Sequence, residues 1–201
     1  MKAAEKSAIR RATLSRRNAL SAEVRREDGQ VALARVTGTA EYLVARFVMA
    51  YCGFGSEIET QPLLHKVLRD KQELVLPKIN RTTNEIDLFL VKDIPTELVP
   101  GVWGIMEPNP NLCARFSPKD LDLIVAPGVA FDKFGGRVGY GRGYYDKLLR
   151  ACHAACKRPF IVAAAFELQI VDAVPMEDHD VAIDAIATEL AYYLCDRGER
   201  T

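Results

Sequence analysis

The sequence has few cysteines, and they do not form the patterns that give cysteine a structural role. The five cysteines are odd in number and lack framework spacing, which indicates free thiols in a reducing compartment. They are Cys52, Cys113, Cys152, Cys156 and Cys195. The cluster of Cys152, His153 and Cys156 offers only three ligands on one predicted helix, so we reject a zinc site there. We therefore expect a cytoplasmic protein without disulfides.

Long apolar runs and a net charge are also missing. No run approaches the ~20 residues of a membrane span, and no continuous apolar stretch follows the basic N-terminus, so we expect neither a membrane partner nor a secretory signal. Composition alone does not distinguish that basic N-terminus from an organelle presequence. Lys plus Arg is 27 and Asp plus Glu is 27, a balance that provides no overall field for nucleic acid. We expect no nucleic-acid partner.

The charge is nevertheless unevenly distributed. Residues 1–26 contain eight basic residues against Glu5 and Glu23. A basic tail for RNA is one interpretation. The basic residues alternate with Ala and Leu in a segment that favours a helix, so a helix with another use for its charges is the preferred interpretation.

Apolar runs of strand length alternate with helical segments along the 201 residues. The run at 160–166 is apolar without alternation, which indicates a strand covered on both faces. Further strands are predicted at 46–51, at 73–76 ending at Pro77, and at 121–126. The sequence predicts an α/β protein: a three-layer, open, mostly parallel sheet with helices on both faces, preceded by N-terminal helices. We expect residues 1–201 to form a single domain.

Smaller elements complete this prediction. Helices are expected at 3–20, after an N-cap at Ser21, after a cap at Thr60 and over 144–153. Strands are expected at 86–91 and 184–187, residues 92–116 are expected to be irregular, and 190–195 is expected to form a terminal helix turn. Ligands of such sheets bind beyond the carboxyl ends of the strands, so the site is expected after Tyr51, Leu76, Ala126 and Phe166.

The most informative segment is the glycine loop, residues 135–146. Its alternating glycines allow backbone N–H groups to approach an anion, and the helix start behind it also favours phosphate. Arg137 and Arg142 add two guanidinium groups. The loop matches neither the Walker A pattern nor the dinucleotide pattern G-x-G-x-x-G. We favour phosphate binding over a flexible turn with exposed arginines.

Acidic and aromatic side chains near this loop suggest further roles. Asp146 either compensates the helix dipole or, beside a phosphate, holds Mg²⁺. Asp180 is a candidate second carboxylate. Tyr140, Tyr144 and Tyr145 either pack in the core or stack on a flat heterocycle.

Several motifs resemble the 5-formyltetrahydrofolate cyclo-ligase family, also called methenyltetrahydrofolate synthetase, over nearly the whole chain. Residues 6–10 are similar to K-x-x-x-R, 57–60 to E-[VI]-[DE]-T and 103–108 to G-I-x-E-P with its preceding Trp103. Residues 122–132 also resemble the family and lead into residues 137–146. The glycine–tyrosine segment 137–146 is the most specific part of the resemblance.

The resemblance implies an enzyme that uses ATP and Mg²⁺ to convert 5-formyltetrahydrofolate to 5,10-methenyltetrahydrofolate, with release of ADP and phosphate. It implies metal ligands at Asp146 and Asp180 and catalytic roles for Arg137 and Tyr144. Folate contacts are implied at Cys52, Glu57 and residues 140–144. The implied ATP contacts are Lys6, Ser7, Ala8, Ile9, Arg10, Arg137, Val138, Gly139, Tyr140, Gly141, Arg142, Gly143, Tyr144 and Tyr145.

The role of Glu57 follows from the chemistry of a pterin. Its aminopyrimidinone edge offers two parallel N–H donors, which one carboxylate accepts together. The alternative for Glu57 is a solvated loop residue, and the alternatives for the whole chain are a binding protein without turnover and an RNA-associated protein. We expect small-molecule substrates and a monomer.

Overall fold

The computed structural model describes residues 1–101, 104–153 and 158–196. Across these ranges, no helix is long and apolar enough to cross a membrane. Trp103 and Cys156 lie outside the described residues, so the predictions that involve them have no structural counterpart.

The helices begin and end close to the predicted positions. Ser21 caps the second helix, because its hydroxyl accepts a hydrogen bond from the Val24 N–H, and that helix ends at Gly38. The helices are α1 Lys2–Asn18, α2 Ala22–Thr37, α3 Ala40–Val44, α4 Gln61–Arg69, α5 Ile94–Glu97 and α6 Tyr144–His153. Short 3₁₀ turns lie at Pro118–Asp120 and Glu167–Gln169.

Twelve strands are found in the described residues, and eight of them form one sheet. Those before residue 101 are β1 Phe47–Met49, β2 Glu73–Asn80, β3 Glu85–Val91 and β4 Leu98–Pro100. The middle strands are β5 Met106–Pro108, β6 Arg115–Phe116, β7 Leu123–Val125 and β8 Ala130–Phe131. The last are β9 Arg137–Val138, β10 Phe160–Ala164, β11 Ala185–Ala187 and β12 Tyr192–Leu194.

The sheet has the strand order β12-β11-β10-β7-β1-β2-β3-β6. The five strands from β11 to β2 are parallel, and the outer strands pair antiparallel. The chain leaves β1 toward β2 on one side and later fills β7, β10 and β11 on the other side. The connections therefore diverge between β1 and β7, and such a switch point opens a crevice at the carboxyl ends of the strands.

Apolar side chains on the two faces of the sheet form two cores. Val162 and Ala164 of β10 belong to one core with α2 and α4, whereas Ile161 and Ala163 belong to the other core with α6. Alternate residues of a strand point to opposite faces, so this division places helices on both faces. The predicted three-layer, mostly parallel α/β architecture is confirmed.

The prediction that the second strand ends at Pro77 is wrong, because β2 continues to Asn80. Pro77 faces the same edge of β2 as Val75, and Val75 is the last residue of β2 in register with β1. The missing N–H of Pro77 therefore falls where β1 has already ended. The antiparallel ladder with β3 on the other edge stays intact.

Two further predictions fail in the antiparallel parts of the fold. Residues 92–116 contain α5, a β4–β5 hairpin and β6 rather than only irregular chain. Residues 192–194 form an edge strand that pairs antiparallel with β11, not a helix turn. Tyr192 and Tyr193 favour a strand, and an available sheet edge satisfies the backbone there.

Candidate active site

Helix α1 lies at the carboxyl rim of the parallel strands and directs basic side chains toward it. Lys6, Arg10 and Arg17 are four and seven residues apart, so they share one face of a helix with 3.6 residues per turn. Arg10 Nε donates to the Gly139 carbonyl at 2.7 Å. The basic N-terminus thus contacts the glycine loop rather than projecting as a free tail, which disfavours the RNA interpretation.

The glycine loop follows the β8–β9 hairpin and ends where α6 begins at Tyr144. Gly141 has φ +92° and Gly143 has φ +69°, backbone angles that residues with a Cβ rarely adopt. A Cβ on Gly141 would lie 3.4 Å from the Arg10 guanidinium, which is an ordinary van der Waals contact. The backbone conformation, and not a close approach, therefore favours glycine at these two positions.

Arg137 is the buried cation of this loop, with a side chain only 3% exposed. Its Nη2 donates to Asp146 Oδ1 at 2.7 Å, and its Nη1 donates to the Pro127 carbonyl at 3.3 Å. Arg137 Nε and the Tyr145 hydroxyl are buried without a hydrogen-bond partner in the described structure. Burial raises the pKa of Tyr145, so its hydroxyl keeps its proton. Two unsatisfied polar groups therefore lie in the segment where a phosphate is expected.

Glu57 lies on the other side of the same loop. The Tyr140 hydroxyl donates to Glu57 Oε1 at 2.8 Å, and the Phe54 N–H donates to Oε2 at 3.2 Å. The Tyr140 and Phe54 rings are tilted at a centroid distance of 5.3 Å. These contacts bring two segments together that are 83 residues apart in sequence, and they exclude a solvated role for Glu57, which is only 8% exposed.

The electrostatics of Glu57 are dominated by its environment. Burial raises the pKa of Glu57, while the Tyr140 hydrogen bond, the Arg17 charge and the Phe54 N–H oppose this rise. Burial also raises the pKa of Tyr140, to about 12, so Tyr140 acts as a neutral donor. Glu57 is thus an acceptor in a confined site whose charge depends on its neighbours.

Arg17 was not singled out from the sequence, yet it is the most buried charged side chain of α1, 2% exposed. It donates to Ser56 Oγ at 3.0 Å, to the Tyr140 hydroxyl at 2.8 Å and to the Gly128 carbonyl at 3.5 Å. The helical spacing from Lys6 and Arg10 is the signal that could have identified it.

Two cavities adjoin the 53–59 loop that follows β1. The larger has about 360 Å³ and is lined in part by Cys52, Phe54, Glu59 and Met106. The second has about 260 Å³ and includes Glu57 and the side of α2 that carries Arg25 and Arg26. Burial raises the pKa of the Cys52 thiol to about 11, which leaves Cys52 a neutral lining residue. Thr60 is the N-cap residue of α4, as predicted, but its hydroxyl makes no capping bond. The hydroxyl donates to the Tyr51 carbonyl and holds this loop in place.

A second cluster of charged side chains surrounds Asp180. Lys6 Nζ donates to Asp180 Oδ2 at 2.5 Å and to Glu177 Oε2 at 2.9 Å. Burial acts to lower the pKa of Lys6, but its bonds to both carboxylates outweigh that effect and raise it. Ligand atoms of Glu177, His179 and Asp180 lie within 4.8 Å of one another.

The carboxylates of this rim are potential Mg²⁺ ligands. Asp146 gives one oxygen to Arg137 and has a second carboxylate oxygen to offer, and its side chain is 20% exposed. The carboxylates of Glu177 and Asp180 add oxygen donors of the type Mg²⁺ prefers. These oxygen donors are therefore of the type that Mg²⁺ binds. Asp146 and Asp180 lie in different ion pairs, because Asp146 pairs with Arg137 and Asp180 pairs with Lys6.

The remaining predicted residues divide into loop, helix and packing positions. Arg142 and Ala8 are exposed, Ser7 is half-buried, and Tyr144 is the first residue of α6. Ile9 packs against a small core that contains Ala130, Val138 and Val174. Ile9 and Val138 thus stabilise the junction of α1 and the hairpin, and their implied ATP contacts remain predictions.

As a whole, the rim has two sides joined by one loop: a cationic side, which we call the phosphate side because it could receive an anionic group, and a cavity side, which we call the folate side because it could receive a flat heterocycle. Arg10 and Arg137 hold the loop on one side, and Tyr140 bonds Glu57 on the other. Such a site can bind an anionic group and a flat heterocycle next to each other, which is what a transfer between two substrates requires.

Comparisons with known proteins identify the family of this chain. The chain is 32% identical to the 5-formyltetrahydrofolate cyclo-ligase of Escherichia coli over 86% of this chain and 94% of that protein. It is 30% identical to the mouse 5-formyltetrahydrofolate cyclo-ligase over 92% and 93% of the two chains. The structure of the Aquifex aeolicus 5,10-methenyltetrahydrofolate synthetase matches with a TM-score of 0.82 and 35% identity, over 98% of this chain and 95% of that one.

The synthetase structure from Mycoplasma pneumoniae, 21% identical with a TM-score of 0.72, covers 92% of this chain and 98% of its own and supports the fold. The sequence model of the 5-formyltetrahydrofolate cyclo-ligase family matches residues 2–189 of this chain. The chain therefore belongs to the 5-formyltetrahydrofolate cyclo-ligase family.

Proposed function

We propose that this protein converts 5-formyltetrahydrofolate to 5,10-methenyltetrahydrofolate and consumes ATP, releasing ADP and phosphate. The observation that carries the proposal is the double contact of the glycine loop. Gly139 is held by Arg10, and the next residue, Tyr140, bonds Glu57. One short segment thus adjoins both the cationic group and the cavity, so phosphate and folate would meet across it.

The reaction needs this proximity. The formyl group is an amide, whose oxygen is a poor leaving group. Transfer of the γ-phosphoryl group of ATP to the formyl oxygen would give an imidate phosphate and ADP. Attack by N10 of the same folate on the formyl carbon then closes the ring, N10 releases its proton, and the C–O bond breaks as the oxygen departs with the phosphate.

The cationic side would bind and orient the triphosphate. Arg10 and Arg137 provide guanidinium groups beside the loop amides, and Lys6 adds an ammonium group at the same rim. Phosphoryl transfer depends mainly on positioning and charge stabilisation, which these donors would supply. Asp146, with Asp180 as the second candidate, would hold Mg²⁺, which neutralises phosphate charge when bound.

The cavity side would bind the folate. Glu57 accepts donors through both of its oxygens in the structure, which is the acceptor geometry that a pterin edge requires. Phe54 and Tyr140 provide aromatic faces beside the same carboxylate. We propose that a bound pterin replaces one of the present donors to Glu57 and stacks near these rings.

The test is an assay of the purified full-length chain with 5-formyltetrahydrofolate, ATP and Mg²⁺. We expect the near-UV absorbance of the methenyl product to appear only when all three are present, with equimolar ADP and phosphate. Calorimetric titrations with each substrate run in parallel. Binding of both without turnover would instead indicate a binding protein, and absence of folate binding by folded protein would refute the proposal.

A further inference from the structure

Arg17 is a charged residue that the proposed chemistry does not use, although it lies at the centre of the site. It comes from α1 and contacts Ser56 beside Glu57, the Gly128 carbonyl after β7 and Tyr140 of the glycine loop. Ser56 in turn donates to Asn18 Oδ1 at 2.5 Å. Three separate segments of the rim are therefore joined through one guanidinium group.

The donors and acceptors in this network leave little freedom. An arginine only donates, so the Tyr140 oxygen accepts from Arg17 Nη2. The single hydrogen of the Tyr140 hydroxyl is then directed to Glu57 Oε1, and the Phe54 N–H occupies Oε2. Both hydrogen bonds to the Glu57 side chain in the described residues come from donors, and such bonds favour the carboxylate form, which accepts without donating.

We propose that Arg17 is a positioning residue that aligns the Tyr140 hydroxyl and the Glu57 carboxylate for folate binding and couples the glycine loop to the loop after β1. This inference rests on the proposed function, because it assigns Glu57 to the folate. Arg17 acts through Tyr140 and Ser56 and needs no contact with either substrate.

The charge of Arg17 supports the same role. Burial of Glu57 disfavours its charged form, and Arg17 is the cation that opposes this effect. Since arginine stays protonated at all ordinary pH values, it provides a constant charge in a buried position. Other titratable or charged groups also face Glu57 or line its cavity. They are Tyr51, Tyr140, Tyr145, Glu59, Arg25 and Arg26.

The first experiment examines the protein alone. The carboxyl carbon of Glu57 is followed by ¹³C NMR across the acid range in the wild type, Arg17→Gln and Arg17→Lys. We expect Arg17→Gln to move the Glu57 midpoint upward and Arg17→Lys to bring it back toward the wild type, because lysine retains the charge. Arg16→Gln is the matched control, since Arg16 is the exposed neighbour on the same helix.

The second experiment measures substrate binding by calorimetry. We expect Arg17→Gln to weaken 5-formyltetrahydrofolate binding about tenfold, the cost of one misplaced charge-assisted bond, and ATP binding less than threefold. Arg17→Lys should recover only part of the folate affinity, because it lacks the fork that reaches Ser56 and Tyr140 together. Arg16→Gln should leave both affinities unchanged.

The outcomes separate this inference from the proposed function. If wild-type protein fails to bind the folate, the proposed function fails, whereas the NMR titration still tests the alignment of Glu57. If Arg17→Gln binds folate as the wild type does and its Glu57 midpoint is unchanged, Arg17 only packs the rim and the inference is wrong.

Should Arg17→Gln fail to fold, Tyr140→Phe tests the same link, because it removes one hydroxyl and keeps the ring beside Phe54. We expect Tyr140→Phe to raise the Glu57 midpoint and weaken folate binding. An unchanged midpoint and affinity in Tyr140→Phe would overturn the inference.

Discussion

The two sides of the glycine loop hold their charged groups in different ways. On the phosphate side, Arg137 meets a formal opposite charge, Asp146, and retains an unsatisfied buried Nε. On the folate side, Glu57 accepts hydrogen bonds from neutral donors, and the Arg17 cation reaches it through the Tyr140 hydroxyl. The glycine loop thus contains a cation that is paired, Arg137, and contacts a carboxylate whose ionisation is opposed by burial, Glu57.

This difference has a functional meaning. A cation with spare donors can receive a strongly charged phosphate without losing its structural partner. A carboxylate that pays a desolvation cost in the protein gains more when a ligand offers two N–H donors, because those donors favour its charged form. Substitutions on the phosphate side should therefore affect ATP use, and substitutions on the folate side should affect folate affinity.

The largest effect is expected for Arg137→Ala. The loss of a positioned donor for the phosphoryl group should lower kcat/KM for ATP by about 10²–10³-fold, as for other preorganised transition-state donors. Steady-state kinetics with varied ATP measures it, and circular dichroism checks that the variant folds. Arg150→Ala on the exposed face of α6 is the charge-matched control. Activity within a few fold of the wild type would remove Arg137 from the phosphate site.

The next largest effect is expected for Glu57→Gln. Glutamine keeps the shape but presents one acceptor oxygen, so KM for 5-formyltetrahydrofolate should rise about 10–100-fold while KM for ATP stays within about threefold. Glu59→Gln is the charge-matched control, because Glu59 is an exposed glutamate in the same loop and adjoins the cavity that includes Glu57. Equal changes in both KM values would abolish the division between the two sides.

The same variant makes a smaller prediction about stability. A carboxyl whose folded pKa is raised contributes full stability below its unfolded pKa of about 4.3 and loses it as pH rises through the folded pKa. The Tm of Glu57→Gln, taken relative to the wild type, should therefore increase from pH 4 to pH 7, because glutamine stays neutral over this range whereas Glu57 ionises against the effect of burial. Thermal melts between pH 4 and 8 measure this increase. A pH-independent difference would contradict this account of burial.

The contrast also explains what could be predicted from sequence. The parallel core and the glycine loop were predicted because apolar runs, glycine spacing and the arginines are local signals. The β2–β3 ladder beyond Pro77 and the edge strand β12 were missed, because their structure depends on which neighbouring strand is present or has ended. Arg17 was missed for the same reason: its burial follows from packing against residues 39 and 123 positions away in sequence.

The smallest effect is expected for Arg142→Ala, the other arginine of the loop. Arg142 is exposed, and an exposed ion pair contributes about 0–1 kcal/mol in water, so KM for ATP should rise by no more than about fivefold. That small rise should disappear at 0.5 M salt, because screening weakens exposed charges first. ATP titrations at low and high salt measure both values. A loss as large as that of Arg137→Ala would show that ATP binding orders the loop around Arg142, and the phosphate side would then extend to both arginines.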